Sequence, residues 1–232
     1  MSEPKVVSRE AWLEARKALL VQEKALSRQK DAVAAARREM PWVRIDEDYR
    51  FHTEEGEKSL AELFDGRSQL IVYHFMFGPD WEKGCRSCSL LTESLQFTRE
   101  HLAARDVSIV VCSRGPLDRL LAFQQRMGWR HRWVSSLGSR FNFDFAVSHT
   151  PEELEAGEAT YNYVQQRPFG SEAPGLSVFA RRGDDVFHTW SVYSRGLDTF
   201  MNVYNLLDTV PRGRDEQDLS YGMEWVRLRD EY

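Results

Sequence analysis

The chain has 232 residues, of which 42% are hydrophobic and 29% charged, and its formal net charge is −5. This size and composition are typical of a globular domain with an extension. Because phosphate recognition usually needs a surplus of basic residues, the acidic balance argues against nucleic-acid binding. The first residues lack the apolar core of a signal peptide, and no run approaches the roughly 20 apolar residues of a membrane span. We therefore expect a cytoplasmic protein without nucleic-acid or membrane partners.

The first predicted element is a long helix or a pair of helices over residues 8–40. Alanine is frequent in this segment, glycine and proline are absent, and Pro41 ends the pattern. Ser8 can cap the helix, with Glu10 in the first turn, where an acid is favoured. We take residues 1–41 as an N-terminal helical extension.

One apolar seam follows the length of this predicted helix. It consists of residues that recur every seven positions, namely Trp12, Leu19, Leu26 and Val33. Two interpretations stay open: the helix lies along its own domain, or it joins a second copy of the chain in a homodimer.

Residues 42–232 form the second predicted domain, which begins with short elements. The pattern predicts a hairpin or two short strands at 43–45 and 49–52, then one or two helical turns at 59–66. Residues 70–77 are apolar at nearly every position, which is typical of a strand buried on both faces of a parallel sheet.

A strand–helix–strand–helix order follows. The segment Gly84–Ser89 leads into a helix predicted to reach about Arg105, and residues 107–112 form the next buried strand. Pro116 is well placed to open a helix over residues 117–127. This order implies two parallel strands with a right-handed crossover.

The second half is less regular. Short strands or loops are predicted at 133–135 and 141–145, and an insertion rich in turn formers and acids at 148–173. The alternation predicts a hairpin from 176–181 and 186–190, and a helix follows at 197–207. The polar tail from Pro211 carries scattered aromatic residues and no predicted role.

Cys85 and Cys88 form a C-x-x-C pair between a buried strand and a helix. Unpaired amides and the dipole of a helix N-terminus stabilise a thiolate at that position. Cys88, one helical turn later, has the spacing of a thiol that resolves a mixed disulfide. The pattern favours thiol–disulfide chemistry.

Three other interpretations of the pair stay open. A zinc site would need two more cysteine or histidine ligands, and the chain offers only Cys112 and six scattered histidines. A structural disulfide is unusual in a reducing compartment. The pair can also be a remnant on a scaffold now used for binding. Cys112 ends a buried strand and is predicted to be a small core residue.

The order of elements around the pair resembles the thioredoxin superfamily, and the lead-in Ser59–Gly66 is similar to its peroxiredoxin-like branch. More closely, the chain resembles a largely bacterial family of thioredoxin-like proteins, a domain of unknown function predicted to contain dithiol–disulfide oxidoreductases. The matching runs are Tyr73–Trp81, Gly84–Ser89, Phe141–Asp144, Pro174–Phe179, His188–Ser191 and Arg195–Asp198. The resemblance implies an α/β fold with a central mixed sheet flanked by helices.

The resemblance also implies roles for three residues. Cys85 would be the attacking thiol, Cys88 the resolving thiol, and Pro174 a cis-proline beside them. The implied activity is thiol–disulfide oxidoreduction on a protein or small-molecule disulfide, with no metal or organic cofactor. The buried acid of thioredoxin falls near Tyr73 or His74, so either His74 replaces it or this histidine is a hydrogen-bonded core residue.

Other departures from the family patterns leave two alternative functions. Thioredoxin has tryptophan before its first cysteine and Gly-Pro inside the motif, whereas this chain has Gly84 and the pair Arg86-Ser87. The charge of Arg86 favours a thiolate and a more oxidising pair. Peroxiredoxins carry threonine or serine where Glu82 stands here, which weakens but does not remove a thiol peroxidase alternative. A non-enzymatic binding protein is the other.

Overall fold

The computed structural model describes residues 4–232 and divides the chain into a helical unit that ends at Pro41 and a second unit, Trp42–Tyr232. Residues 1–3 of the predicted extension lie outside the described residues. Within the described range, no helix has both the length and the apolar character needed to cross a membrane.

The first unit is one long helix, α1, over Arg9–Arg38, which decides between the two predicted alternatives in favour of a single helix. The Ser8 side chain caps it by accepting a hydrogen bond of 3.3 Å from the backbone N–H of Ala11. Arg37 and Arg38 lie in the last turn, where the helix dipole stabilises positive charge. No residue of α1 is buried. Its pairing with a second copy stays a prediction.

The second unit is built on a mixed sheet of eight strands in the order β1-β10-β9-β4-β5-β6-β2-β3. Strands β4, β5 and β6 are parallel, and the other neighbours are antiparallel. A separate hairpin is formed by β7 and β8. The strand bounds are β1 Val43–Arg44, β2 Arg50–Thr53, β3 Gly56–Ser59, β4 Gln69–His74, β5 Val107–Ser113, β6 Trp133–Ser135, β7 Ala159–Tyr161, β8 Val164–Gln166, β9 Gly175–Arg182 and β10 Asp185–Tyr193.

Helices flank this sheet, which confirms the predicted α/β thioredoxin-like fold. They are α2 Arg86–Ser94, α3 Arg99–Ala103, α4 Leu117–Met127, α5 Phe141–Asp144, α6 Pro151–Ala156 and α7 Asn202–Leu207, with 3-10 turns at Glu62–Phe64, Ser194–Phe200 and Arg229–Glu231.

Several predicted elements differ in detail. The helix expected to run to Arg105 is broken into α2 and α3, and Phe97 between them has a left-handed φ of 63°. The segment 141–145 is mainly the short helix α5 rather than a strand. Residues 43–45 and 49–52 do not form a hairpin with each other. Instead, β1 pairs with β10, and β2 pairs with the unpredicted β3, because strand partners depend on distant segments.

Side chains on the central strands alternate between two faces of the sheet. Tyr73 on β4 and Val111 on β5 pack in the cluster that contains Cys88. Val72 on β4 and Cys112 on β5 pack in the opposite cluster. The dithiol therefore belongs to one face of the sheet, and Cys112 belongs to the other.

Candidate active site

Cys85 occupies the N-cap of α2, at the end of the loop that follows β4. Its backbone N–H donates to the carbonyl of Met76 at 3.2 Å. Its own carbonyl accepts hydrogen bonds from the Ser89 N–H at 3.0 Å and the Ser89 hydroxyl at 2.9 Å. These contacts fix the first cysteine between the loop and the first helical turn.

Gly84 allows the loop to pass closely over aromatic side chains. A Cβ at this position would lie 2.5 Å from the Phe75 ring and 3.0 Å from the Phe123 ring. Such approaches are shorter than a nonbonded carbon contact allows. Glycine before Cys85 is therefore a packing requirement of this chain, which accounts for the absence of a bulky residue there.

The two cysteines differ in accessibility. Cys85 is partly buried, whereas Cys88 is 2% exposed, and both are free thiols. The Cys85 Sγ accepts a hydrogen bond of 3.3 Å from the backbone N–H of Cys88. A helix-start amide thus points at the more accessible sulfur, as the sequence indicated.

The electrostatic surroundings separate the two thiols further. A hydrogen bond with the Cys88 thiol is the main cause that lowers the pKa of Cys85 to about 7, with support from the Cys88 and Ser87 amides and the Arg86 charge. Burial opposes this shift. For Cys88, burial and then the contacts with Cys85 raise the pKa well above its ordinary range. Of the two thiols, Cys85 is therefore the one that ionises near neutral pH.

Tyr73 is the side chain of β4 that faces the dithiol. It is 1% exposed, and its hydroxyl acts on Cys88 in the direction that lowers the pKa of this thiol, against the larger effect of burial. Burial, then the charge on Cys88, raises the pKa of Tyr73 well above its ordinary range, so the hydroxyl keeps its proton. Tyr73 therefore places a neutral hydroxyl, and no carboxyl group, beside the dithiol.

His74 points to the opposite face and does not serve the dithiol. Its Nε2 lies 2.8 Å from the Ser177 Oγ, which in turn lies 2.8 Å from the Ser191 Oγ. The ring stacks on Phe145 at 5.9 Å between centroids. Burial lowers the pKa of His74 to about 3, so the ring is neutral. Of the two interpretations of this residue, the hydrogen-bonded core histidine is confirmed.

Pro174 lies beside the dithiol, but the bond that precedes it is trans, so the predicted cis-proline is wrong. The trans isomer is the intrinsically favoured state of an X–Pro bond. Here the chain runs from Ala173, whose N–H donates 2.9 Å to the Val147 carbonyl, directly into β9. The Pro174 carbonyl accepts a hydrogen bond of 2.9 Å from the Tyr161 hydroxyl.

A cleft of about 960 Å³ opens from the two sulfurs. Its wall combines the 3-10 turn at 194–200 and α7 with two segments whose role the sequence did not reveal. The insertion contributes Tyr161 and Phe169, and the C-terminal tail contributes Tyr221, Gly222 and Met223. The aromatic residues among them, Tyr161, Phe169 and Tyr221, stand in otherwise polar segments, and this contrast is the feature of the sequence that could have indicated the wall.

The tail is held against the body by buried side chains and ion pairs. Val226 and Leu228 are 1% and 0% exposed. Near its end, Asp230 pairs with Arg126 at 2.7 Å. Glu216 accepts hydrogen bonds from the Tyr204 hydroxyl at 2.7 Å and the Trp225 Nε1 at 2.7 Å. The tail is therefore a fixed part of the cleft wall.

Comparisons with known proteins give one family and a set of distant structures. The family model described as "Bacterial protein of unknown function (DUF899)" matches residues 1–232. No curated protein matches the chain.

Similar solved structures include peroxiredoxins. A cysteine mutant of peroxiredoxin Q from Xanthomonas campestris is 10% identical, with 72% of this chain and 98% of that chain covered and a TM-score of 0.48. Peroxidoxin BcpB from Mycobacterium tuberculosis is 10% identical, with 70% and 94% covered and a TM-score of 0.47. A PrxQ mutant from Xylella fastidiosa is 10% identical, with 68% and 87% covered and a TM-score of 0.42. At this level of similarity, none of them assigns a reaction to this chain.

Proposed function

The chain belongs to the DUF899 family of bacterial proteins, in agreement with the resemblance found in the sequence, and we propose that it is a thiol–disulfide oxidoreductase. The observation that carries the proposal is the position of the Cys85 sulfur at the start of α2. There it accepts a hydrogen bond of 3.3 Å from the Cys88 amide, and the pKa of the Cys85 thiol is lowered to about 7. A thiolate populated at neutral pH is the nucleophile of disulfide exchange.

In the first step the Cys85 thiolate attacks one sulfur of a substrate disulfide. A bond forms between Cys85 and that sulfur, the substrate disulfide breaks, and the first substrate thiol leaves as a thiolate that takes up a proton from water. The product is a mixed disulfide between Cys85 and the second half of the substrate. The partial exposure of Cys85 supports its role as the attacking residue.

In the second step Cys88 loses its proton and attacks the Cys85 sulfur. The mixed disulfide breaks, the second substrate thiol leaves, and Cys85 and Cys88 become joined. Two electrons and two protons have then moved from the dithiol to the substrate, and an external dithiol reductant restores the reduced pair. The Tyr73 hydroxyl supports this step, because its effect lowers the pKa of the buried Cys88.

Trapping of the mixed disulfide tests the proposal. The Cys88→Ser variant, incubated with hydroxyethyl disulfide, should accumulate one adduct on Cys85 that peptide mass mapping detects, because the second step is blocked. The control Cys88→Ser/Cys112→Ser should accumulate the same adduct, since Cys112 is 0% exposed. Absence of a Cys85 adduct over a wide range of disulfide concentration would refute the proposal.

Hydrogen peroxide distinguishes the proposed activity from that of a thiol peroxidase. Glu82, at the position where peroxiredoxins carry threonine or serine, is exposed to solvent. We expect Cys85 to react with peroxide no faster than an unstructured cysteine of the same thiolate content. Rapid peroxide consumption with a sulfenic acid on Cys85 would instead assign peroxide reduction.

A further inference from the structure

The cleft beside the dithiol has the features of a binding site for a small ligand. Its volume of about 960 Å³ is at the upper end of the range of small-molecule pockets. It lies within the unit Trp42–Tyr232, and the insertion and the tail supply much of its wall.

The cleft is buried at the end that holds the sulfurs and open at the other. Tyr73 and Cys88 are 1% and 2% exposed, whereas Phe169 and Tyr221 are 63% and 56% exposed. A slender molecule in the cleft can therefore contact both Cys85 and these rings. A disulfide fixed on the surface of a folded protein enters such a cleft less easily.

The charged residues of the wall are already paired with one another. Arg214 contacts Asp198 at 2.7 Å and both oxygens of Asp208 at 2.8 Å, and its guanidinium lies 3.8 Å from the centre of the Tyr204 ring. Hydrogen bonds from Tyr204, Met223 and Trp225 hold the pKa of Glu216 below its usual range, although its burial acts in the opposite direction. These groups hold the wall together. The remaining charged group of the wall, Arg195, lies 3.6 Å from Asp198 and its side chain is 87% exposed.

The remaining surface is apolar and mainly aromatic and thioether in character, with one aliphatic side chain. It is supplied by Met76, Tyr161, Phe169, Leu197, Met201 and Met223. Aromatic rings and methionine side chains pack well against flat apolar groups, and the removal of these surfaces from water favours binding. The cleft thus complements an apolar or aromatic substituent attached to the sulfur that Cys85 attacks.

We infer that the preferred substrates are low-molecular-weight disulfides that carry an apolar or aromatic substituent, which occupies the cleft during attack by Cys85. This inference rests on the proposed function and concerns its substrate class. The bond changes are those of the two exchange steps above, with an external dithiol as reductant.

Two matched disulfides test the inference. Hydroxyethyl disulfide and hydroxyethyl phenethyl disulfide both release alkyl thiols, and only the second carries an aromatic group. Their rates with the reduced protein, each divided by the rate of the same disulfide with free N-acetylcysteine, should differ about tenfold in favour of the phenethyl compound. Insulin, as a protein disulfide, should react more slowly than the phenethyl compound.

Phe169→Ala should reduce this preference about threefold, because an aromatic part of the wall is removed. Phe97→Ala is the matched control, since Phe97 is 73% exposed and lies outside the cleft wall. Equal normalised rates for the two small disulfides, a preference unchanged in Phe169→Ala, or faster reaction with insulin would overturn the substrate class while leaving exchange intact. No reaction of the reduced protein with any of the three disulfides would instead overturn the proposed function itself, and the substrate class with it.

Discussion

The two faces of the central sheet carry similar chemical groups that differ in their access to solvent. On one face, Cys85 and Cys88 adjoin a cleft, and Tyr73 contacts the buried sulfur. On the other, Cys112 and His74 are 0% and 1% exposed and are enclosed by phenylalanine rings. Tyr73 and His74 are consecutive residues, so the alternation of a strand alone separates them. Access to solvent and to hydrogen-bond donors therefore separates a thiol with a lowered pKa, Cys85, from one with a raised pKa in the closed core, Cys112.

The largest expected difference between the faces is in thiol reactivity. Burial raises the pKa of Cys112 to about 12, whereas that of Cys85 is lowered to about 7. Iodoacetamide at neutral pH should therefore alkylate Cys85 more than about a thousandfold faster than Cys112 in the native reduced protein. Peptide mass mapping over time measures both rates. In denaturant the two residues should react alike, and comparable native rates would break the comparison.

His74→Leu should lower stability and leave the chemistry unchanged. The substitution removes the hydrogen bond of 2.8 Å to Ser177 inside the closed face. Loss of a buried hydrogen bond should reduce the free energy of unfolding by about 1–3 kcal/mol, as denaturant titration measures. The rate of mixed-disulfide formation at Cys85 should remain within about twofold of the natural protein. A large fall in that rate at unchanged stability would connect the two faces.

Tyr73→Phe should have the opposite signature. The ring still fills the core, but the hydroxyl that favours the Cys88 thiolate is lost. Release of the second substrate thiol should slow about three- to tenfold at neutral pH, with a smaller difference at alkaline pH, where Cys88 ionises without help. Rapid mixing with an excess of substrate disulfide resolves this step from the first. His74→Leu is the control, and equal release rates in all three proteins would exclude a role for Tyr73.

The smallest effect concerns Arg86. Its charge is one of the weaker causes that lower the pKa of Cys85. Arg86→Gln should therefore reduce the rate of mixed-disulfide formation about twofold below the pKa and leave it unchanged well above it. Arg99→Gln on α3 serves as a charge-matched control. A loss that persists at alkaline pH would show that Arg86 acts in another way than through the thiolate.

The parts of the fold that the sequence predicted correctly are those with strong local signals. The apolar run of β4, the glycine turn between β9 and β10, and Pro116 ahead of α4 each specify an element from neighbouring residues. The dithiol was predictable in the same way, because its position needs only a buried strand before it and a helix after it. Local patterning therefore located the two cysteines.

The cleft wall was not predictable because its contacts join distant segments. The Tyr161 hydroxyl donates a hydrogen bond to the Pro174 carbonyl and accepts one from the Ser194 N–H. The Glu216 carboxylate accepts hydrogen bonds from Tyr204 and Trp225. Periodicity carries no information about such partners. The cis-proline expectation failed for a related reason, since it came from the resemblance and not from the residues of this chain.

The central claim is that Cys85 is the low-pKa nucleophile of the dithiol. The most direct test is the rate of Cys85 alkylation in the reduced, unmodified protein as a function of pH, followed by mass mapping of the Cys85 peptide. We expect a rate that is half-maximal near the pKa of about 7 and levels off above it. A rate that keeps rising and becomes half-maximal at or above the ordinary cysteine pKa of about 8.5 would contradict it.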